Sequence, residues 1–249
     1  MRSSSKGNVT IVFNKNTRIL VDCGISGKAL EECLGAADVG GGTIDAIVVT
    51  HEHSDHIKGV GIISRKFNIP IFANDGTWRV MRGALGKIDD ENIRVFETGN
   101  SFYINDIEVC AYSISHDAAE PVGYTFRYCG EKVAVATDMG IVSEDAASAL
   151  LGCHTVLLEA NYDINMLEIG SYPYDLKCRI KGKRGHLENR DSARLAKLLA
   201  ENGTKKIILG HLSEENNYPP IAFKTVNECL CGLPTELLVV EKGGLVKKY

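Results

Sequence analysis

The chain has 249 residues and a formal net charge of −4, from 28 lysines and arginines against 32 aspartates and glutamates. Hydrophobic residues make up 44% and charged residues 24%, which is usual for a globular protein and excludes collagen-like, disordered and coiled-coil classes. No apolar run reaches the roughly 20 residues that a membrane-spanning helix needs, so we expect no membrane association. The mild negative charge, taken alone, argues weakly against nucleic acid as a partner.

Short strands alternate with helical patterns in the first third of the chain. The predicted elements are a strand over 19–22, a helix over 28–34, a buried strand over 46–50, a helix over about 56–67, a strand over 69–73 and a helix over 76–85. The helix over 56–67 would bury Ile57, Val60, Ile63 and Phe67 on one face. This alternation predicts a sheet covered by helices.

The rest of the chain is richer in strands. The pattern predicts strands over 107–113, 122–129, 132–137, 155–159 and 205–209, helices over 143–151 and 191–202, a last helix from Pro219, and a closing hairpin of 236–241 with 245–246. This mixed order does not fit a strictly alternating dinucleotide-binding pattern. We therefore predict one α/β domain over residues 1–249, in which two sheets pack together with helices outside.

The first residues lack the apolar core of a signal peptide, and the eight cysteines include no C-x-x-C pair. We therefore expect a cytoplasmic protein with reduced thiols rather than a disulfide framework. Cys229 and Cys231 are separated by one residue, which is a poor spacing for a zinc site.

A polar residue ends each of six predicted strands. These residues are Asp22, His51, His116, Asp138, Glu159 and His211. Because open α/β sheets gather function outside their strand ends, this regularity predicts one shared site.

The densest group of chemically active residues is an H-x-H-x-D-H cluster that follows a buried strand. It consists of His51, His53, Asp55 and His56. On a strand-to-helix turn these side chains can point into one small volume, and imidazole and carboxylate suit Zn, Mn and Fe. The alternative, a solvated polar turn, is disfavoured because histidine is scarce and such density rarely arises for structure alone.

At this cluster the sequence resembles the metallo-β-lactamase superfamily, whose hallmark is the same H-x-H-x-D-H. Five motifs occur in the family's order: Asp22 in Val21–Gly24, the cluster at 51–56, His116, Asp138 in Ala136–Asp138, and His211 in Leu209–Ser213. The resemblance implies a four-layer αβ/βα sandwich of two mixed β-sheets with helices outside.

The resemblance also implies two divalent metal ions of the Zn, Mn or Fe type. The ligands implied for the first ion are His51, His53 and His116, those for the second are Asp55, His56 and His211, and Asp138 would bridge the two. Two such ions can share and deprotonate a water, which implies hydrolysis by a metal-bridging hydroxide. Asp22 would then orient a ligand through a hydrogen bond, or would only cap a turn.

Within the superfamily, further segments resemble the YycJ or WalJ group. They are 3–8, 50–59, 115–118, 159–163, 185–187 and 210–217. This narrower resemblance implies a DNA-processing phosphodiesterase with 5′→3′ exonuclease activity. Tyr162 departs from the group's pattern, in which we expect His.

Several residues outside the ligand set are candidates for substrate contact. They are Ser3, Ser4, Ser5, Asn161, Lys181, Lys183, Arg184 and His186. The serines offer donors to phosphate. His186 could contact a phosphate or protonate a leaving oxygen, and we count it with Asp55 and Asp138 as catalytic; the alternative is a histidine that caps a helix.

Basic residues are concentrated between positions 177 and 190. They are Lys177, Arg179, Lys181, Lys183, Arg184 and Arg190, and the first four alternate. In an extended strand those four would share a face and could follow a phosphate backbone. The alternative is an ordinary solvated face.

Three functions fit these observations. The favoured one is a metal-dependent phosphodiesterase acting on nucleic acid, with DNA ends as its partner. The second is an acyl hydrolase of small molecules: a thioesterase, lactonase or lactamase. The third, a metal-dependent binding or redox protein, is disfavoured because no flavodoxin-like or rubredoxin-like segment is found in the sequence.

Overall fold

The computed structural model describes residues 7–36, 39–240 and 246–248. The predicted substrate contacts Ser3, Ser4 and Ser5 lie outside the described residues.

A five-stranded sheet is built from the first part of the chain. Its strands, in spatial and chain order, are β1 (Thr10–Phe13), β2 (Arg18–Val21), β3 (Ala46–Val48), β4 (Ile71–Asn74) and β5 (Ile93–Phe96). The first pair is antiparallel and the others are parallel. The helices of this part are α1 (Gly27–Ala36), α2 (Ser54–Ile57), α3 (Val60–Phe67) and α4 (Asp75–Leu85).

An eight-stranded sheet follows. Its strands are β6 (Ser101–Ile104), β7 (Ile107–Ser113), β8 (Val122–Tyr128), β9 (Glu131–Ala136), β10 (Thr155–Glu159), β11 (Lys206–Gly210), β12 (Glu236–Val240) and β13 (Val246–Lys247), which lie in chain order across the sheet. Strands β6 to β9 form an antiparallel meander, β9 to β12 are parallel, and β13 returns antiparallel. The helices are α5 (Glu144–Leu150), α6 (Ile164–Ile169), α7 (Tyr174–Lys181), α8 (Asn189–Glu201) and α9 (Pro219–Cys229).

The apolar residues form three buried layers between four layers of secondary structure. Alternation along β2 shows the arrangement, because Leu20 packs among residues of α1, α3 and α4 while Ile19 and Val21 face the second sheet. The third layer lies between the second sheet and α5, α8 and α9. The α/β sandwich of two mixed sheets with helices outside is therefore confirmed.

The single helix predicted over 56–67 was wrong. Two helices, α2 and α3, are separated at Gly59. A Cβ at Gly59 would lie 2.3 Å from the Ile25 carbonyl oxygen and 2.6 Å from Cys23 Sγ, so the chain can approach the loop after β2 only without a side chain. Phe67 is half-buried rather than fully buried.

The extended strand considered for the alternating basic residues was also wrong. Residues 174–181 form helix α7, and no residue of this helix is buried. Without a buried face, the segment carries no apolar periodicity by which the sequence could show a helix. Helical geometry places Lys177 and Lys181 on one side and Arg179 on the opposite side.

All eight cysteines are free, and four of them, Cys129, Cys178, Cys229 and Cys231, are exposed. Within the described ranges, no helix combines the length and the apolar character needed to cross a membrane.

The two sheets are joined by a buried hydrogen bond next to the H-x-H-x-D-H cluster. The Tyr124 hydroxyl on β8 donates to the Val49 carbonyl oxygen at 2.5 Å. We expect Tyr124→Phe to lower the free energy of unfolding by about 1–2 kcal/mol, because a buried carbonyl loses its donor. Urea denaturation measures the effect, and Tyr103→Phe at an exposed position of β6 is the control. Equal stability of the two variants would contradict this role.

Candidate metal centre

Polar residues of both sheets meet at one edge of the sandwich. The loop after β3 supplies His51, His53, Asp55 and His56, while strands of the second sheet lead into His116, Asp138 and His211. Three residues at strand ends have left-handed backbone conformations: Asp22 (φ 61°), Asp138 (φ 61°) and His211 (φ 54°). Such conformations cost of order 1 kcal/mol or more outside glycine and concentrate at functional sites.

Among the described residues, the ligand-type atoms at this edge fall into four overlapping groups; Asp138 belongs to two of them, with His51 and His56 in one and with Glu159, His186 and His211 in the other, and the remaining two groups lack it. His51, His53 and His116 form one group, and Asp55, His56 and His211 form the other; in each, the ligand-type atoms lie within 4.8 Å of one another. The His116 Nδ1 atom lies 3.1 Å from the Gly185 carbonyl oxygen, which leaves its Nε2 for the cluster. These are the two sets that the family resemblance implied.

Asp138 lies between the two groups. Its Oδ1 is 3.8 Å from His116 Nε2 and 3.5 Å from His211 Nε2, and its Oδ2 is 3.5 Å from His56 Nε2. One carboxylate therefore faces histidines of both groups, as a bridging ligand must.

The residues present fit divalent metal ions. Asp138 Oδ2 is buried and has no hydrogen-bond partner among the described residues, so an acceptor is available inside the cluster. Burial lowers the pKa of His56, but Asp138 and Asp22 outweigh it and raise this pKa to about 9. The carboxylates thus favour positive charge at a ligand nitrogen, which a divalent ion would supply. Imidazole and carboxylate donors suit Zn, Mn and Fe.

Asp22 contacts His56 directly. It accepts hydrogen bonds from the Thr50 amide and hydroxyl, each at 2.8 Å, and its Oδ2 lies 2.8 Å from His56 Nδ1. This fixes the imidazole with Nε2 toward the cluster. The contact favours the orienting role for Asp22 over a simple turn cap.

Glu159 is a functional candidate. The sequence analysis identified it only as one of six polar residues at strand ends and gave it no role. Its Oε1 lies 2.8 Å from both His186 Nδ1 and His211 Nδ1. Its Oε2 accepts from the amides of Met139 and Leu187. Burial raises the pKa of Glu159, yet the two histidines lower it below its usual value, so the carboxylate stays charged.

His186 is held by this carboxylate. Burial lowers the pKa of the imidazole, but Glu159 and then Asp138 raise it to about 9. Because Nδ1 is bound to Glu159, Nε2 is the ring nitrogen left for another partner. The sequence feature that could have identified Glu159 is its position as a glutamate at the end of β10, after a run of buried apolar residues.

Asn8 also reaches the centre, and the sequence reasoning did not single it out. Its side-chain nitrogen lies 2.9 Å from His56 Nε2 and donates to Asp55 Oδ2 at 3.4 Å. The close approach depends on Gly24, where a Cβ would lie 1.5 Å from the Asp55 carbonyl oxygen.

A cleft of about 220 Å³ opens on the cluster. It is lined by the proposed ligands His53, Asp55, His116 and Asp138 and, from α7 and the residues before it, by Tyr172, Leu176, Arg179 and Ile180. Asn161 and His186, both predicted to contact substrate, also line the cleft.

The other predicted substrate contacts are placed elsewhere. Lys181 pairs with Glu168. Arg184 donates to the carbonyl oxygens of His116 and Ala118, and the Lys183 carbonyl oxygen accepts from Ser115. None of the three lines the cleft.

Tyr162, the departure from the group's pattern, is also absent from the cleft lining. Its side chain is buried, and its carbonyl oxygen accepts from the Asn189 amide.

Comparison with known proteins agrees with this geometry. The family described as a beta-lactamase superfamily domain matches residues 17–212. The chain therefore belongs to the metallo-β-lactamase superfamily and is a hydrolase of that fold. The fold is also that of the metallo-β-lactamase-fold protein YhfI of Bacillus subtilis, with a TM-score of 0.74, 14% identity, and coverage of 99% of this chain and 96% of that one.

Within the superfamily, two relatives are much more similar in sequence. The chain is 39% identical over 230 residues to the protein named exodeoxyribonuclease YycJ of Bacillus anthracis, covering 92% of this chain and 87% of that protein. It is 39% identical over 228 residues to exodeoxyribonuclease WalJ of Streptococcus pneumoniae, covering 91% and 85%. The narrower resemblance predicted from the motifs is confirmed.

The role of Glu159 can be tested by metal binding. Glu159→Gln removes the charge that orients His211, so we expect metal affinity to fall about 10–100-fold. Competition with a chromophoric chelator measures the affinity. Glu236→Gln, which breaks an exposed pair with Lys206, is the matched control. Unchanged affinity in Glu159→Gln would contradict the assignment.

Proposed function

We propose that the protein is a phosphodiesterase that hydrolyses nucleic acid from DNA ends, with a 5′→3′ exonuclease activity that depends on two divalent ions. The observation that carries the proposal is that the Asp138 carboxylate lies 3.5–3.8 Å from histidine nitrogens of both ligand groups. Support for the substrate comes from the two relatives, which are named exodeoxyribonucleases and align with nine-tenths of the chain. Because ligands come from both sheets, we further propose that residues 1–249 act as one domain.

The proposed division of labour follows from the contacts. His51, His53 and His116 would hold one ion, Asp55, His56 and His211 the other, and Asp138 both. Such ions, when bound, act as Lewis acids on phosphoryl oxygens and lower the pKa of water. Asp55 is 31% exposed and is the member of the second ligand group that lines the cleft, so its carboxylate is the one that substrate would meet.

His186 is the proposed proton donor to the leaving oxygen. Glu159 holds its Nδ1, and the ring lines the cleft, which leaves Nε2 for the substrate. A donor positioned in this way contributes about 10²–10⁴-fold to proton-transfer catalysis. Asn161 also lines the cleft, and its side-chain amide donates to the His211 carbonyl oxygen at 2.9 Å.

With two divalent ions bound, the cleft would favour an anionic phosphodiester over a neutral acyl substrate, because the ions would offset the carboxylates of Asp55, Asp117 and Asp138 that line it. Arg179 and the charged form of His186 both line the cleft beside the ligand groups. A small-molecule acyl hydrolase of the same fold is the alternative.

A substrate panel separates these two functions. Metal-loaded protein is assayed with 5′-phosphorylated single- and double-stranded DNA, RNA, bis-p-nitrophenyl phosphate, a thioester and a β-lactam. We expect hydrolysis of the DNA substrates and the phosphodiester, with Zn, Mn and Fe compared in parallel. Turnover of the thioester or β-lactam without any turnover of DNA would overturn the proposal.

Removal of one ligand tests the two-ion centre. Asp55→Ala should lower hydrolysis by more than about 100-fold, since even the outer partners of metal ligands are worth up to that much. The number of ions bound per chain should fall from two to one. Elemental analysis after dialysis measures the count, and Asp75→Ala, at an exposed position of α4, is the control. Full activity with two ions retained would refute the assignment.

A further inference from the structure

Of the basic residues between 177 and 190, the structure brings one to the cleft. Lys177 and Lys181 lie on the side of α7 that faces Glu168: Lys177 donates to its carbonyl oxygen and Lys181 pairs with its carboxylate. Arg184 is bound to backbone carbonyl oxygens. Arg179 lies on the opposite side of the helix and lines the cleft.

Arg179 is held in place through one of its five donors. Its Nε donates to Asp117 Oδ2 at 2.6 Å, and this is the only hydrogen bond of its side chain within the described part of the chain. The side chain is 59% exposed, so the two terminal nitrogens remain open to the cleft. A guanidinium whose Nε is fixed still presents a planar pair of donors, which matches the oxygens of a phosphate.

Asp117 fixes the distance from Arg179 to the metal centre. It follows His116 directly, and its Oδ1 lies 3.5 Å from His116 Nε2 and 4.0 Å from His53 Nε2. The Asp117 carboxylate therefore contacts the guanidinium through one oxygen and lies near the first ligand group with the other. The Asp117 carboxylate lies between the Arg179 guanidinium and the ions that the ligand groups would hold. Arg179 is therefore placed to bind a different anionic group from the one at those ions.

We propose that Arg179 binds the terminal 5′-phosphate of the substrate, next to the phosphodiester that is cleaved. This inference rests on the proposed function. Residues of α7, Arg179 among them, line the same cleft as members of both ligand groups. When a strand is cleaved from its 5′ end, the phosphate on the 5′ side of the scissile bond is the terminal one, so a phosphate that reaches Arg179 there is a monoester.

Two oligonucleotides of one sequence, with a 5′-phosphate or a 5′-hydroxyl, test the proposal on the metal-loaded full chain. We expect kcat/KM to be at least about 10-fold higher for the phosphorylated strand, because charge-assisted hydrogen bonds to the phosphate would contribute a difference of that size. Arg179→Ala should bring the ratio close to one. Arg194→Ala is the matched control, because it also removes an exposed arginine paired with an aspartate at 2.6 Å, and it should keep the original ratio.

A binding measurement adds a readout independent of turnover. Calorimetric titration with thymidine 5′-monophosphate should show about 10-fold weaker binding to Arg179→Ala than to the unaltered protein, whereas thymidine should not distinguish them. If the alanine variant does not fold, Arg179→Gln gives the same comparison.

The outcomes separate the two claims. The role of Arg179 is overturned if DNA is hydrolysed with no preference for the 5′-phosphate. It is also overturned if the preference survives Arg179→Ala or is equally lost in Arg194→Ala. In each of these cases the proposed phosphodiesterase activity remains. Absence of any hydrolysis of DNA overturns both.

Discussion

The Asp138 carboxylate lies where the two sheets meet, within 3.8 Å of histidines from both ligand groups. Burial opposes its charge, yet the surrounding histidines, His211 and His56 foremost, keep its pKa well below the usual range. An isolated buried carboxylate would be too costly to retain, so the centre needs cations, as protons on imidazoles or as metal ions. The histidines at and beyond the neighbouring strand ends therefore stabilise the negative charge of Asp138.

Two further carboxylates hold the ligand rings from outside. Asp22 fixes His56 from the first sheet, and Glu159 fixes His211 from the second. Left-handed turns at Asp22, Asp138 and His211 direct these side chains into the space between the sheets, and extensive packing of both sheets supports the local strain. Glu159 also holds His186, so one buried group couples the metal centre to the proposed proton donor.

The gathering of the candidate ligands at one edge could be predicted because each lies at a strand end or in the H-x-H-x-D-H cluster and belongs to a motif of the superfamily. The sandwich could be predicted because buried strands and amphipathic helices carry clear periodicities. The partners of Glu159 could not, since His186 and His211 lie 27 and 52 positions away. Helix α7 has no buried face, so the alternation of its basic residues suggested an extended strand. The pairing of Arg179 with Asp117, 62 positions apart, is visible only in three dimensions.

The central claim is that one carboxylate joins two metal sites. Anomalous X-ray diffraction from crystals of the metal-loaded protein, collected on both sides of the absorption edge of the added metal, tests it most directly. We predict two peaks, one beside His51, His53 and His116 and one beside Asp55, His56 and His211, with Asp138 coordinating both. A single peak, or two peaks that Asp138 does not join, would contradict the account.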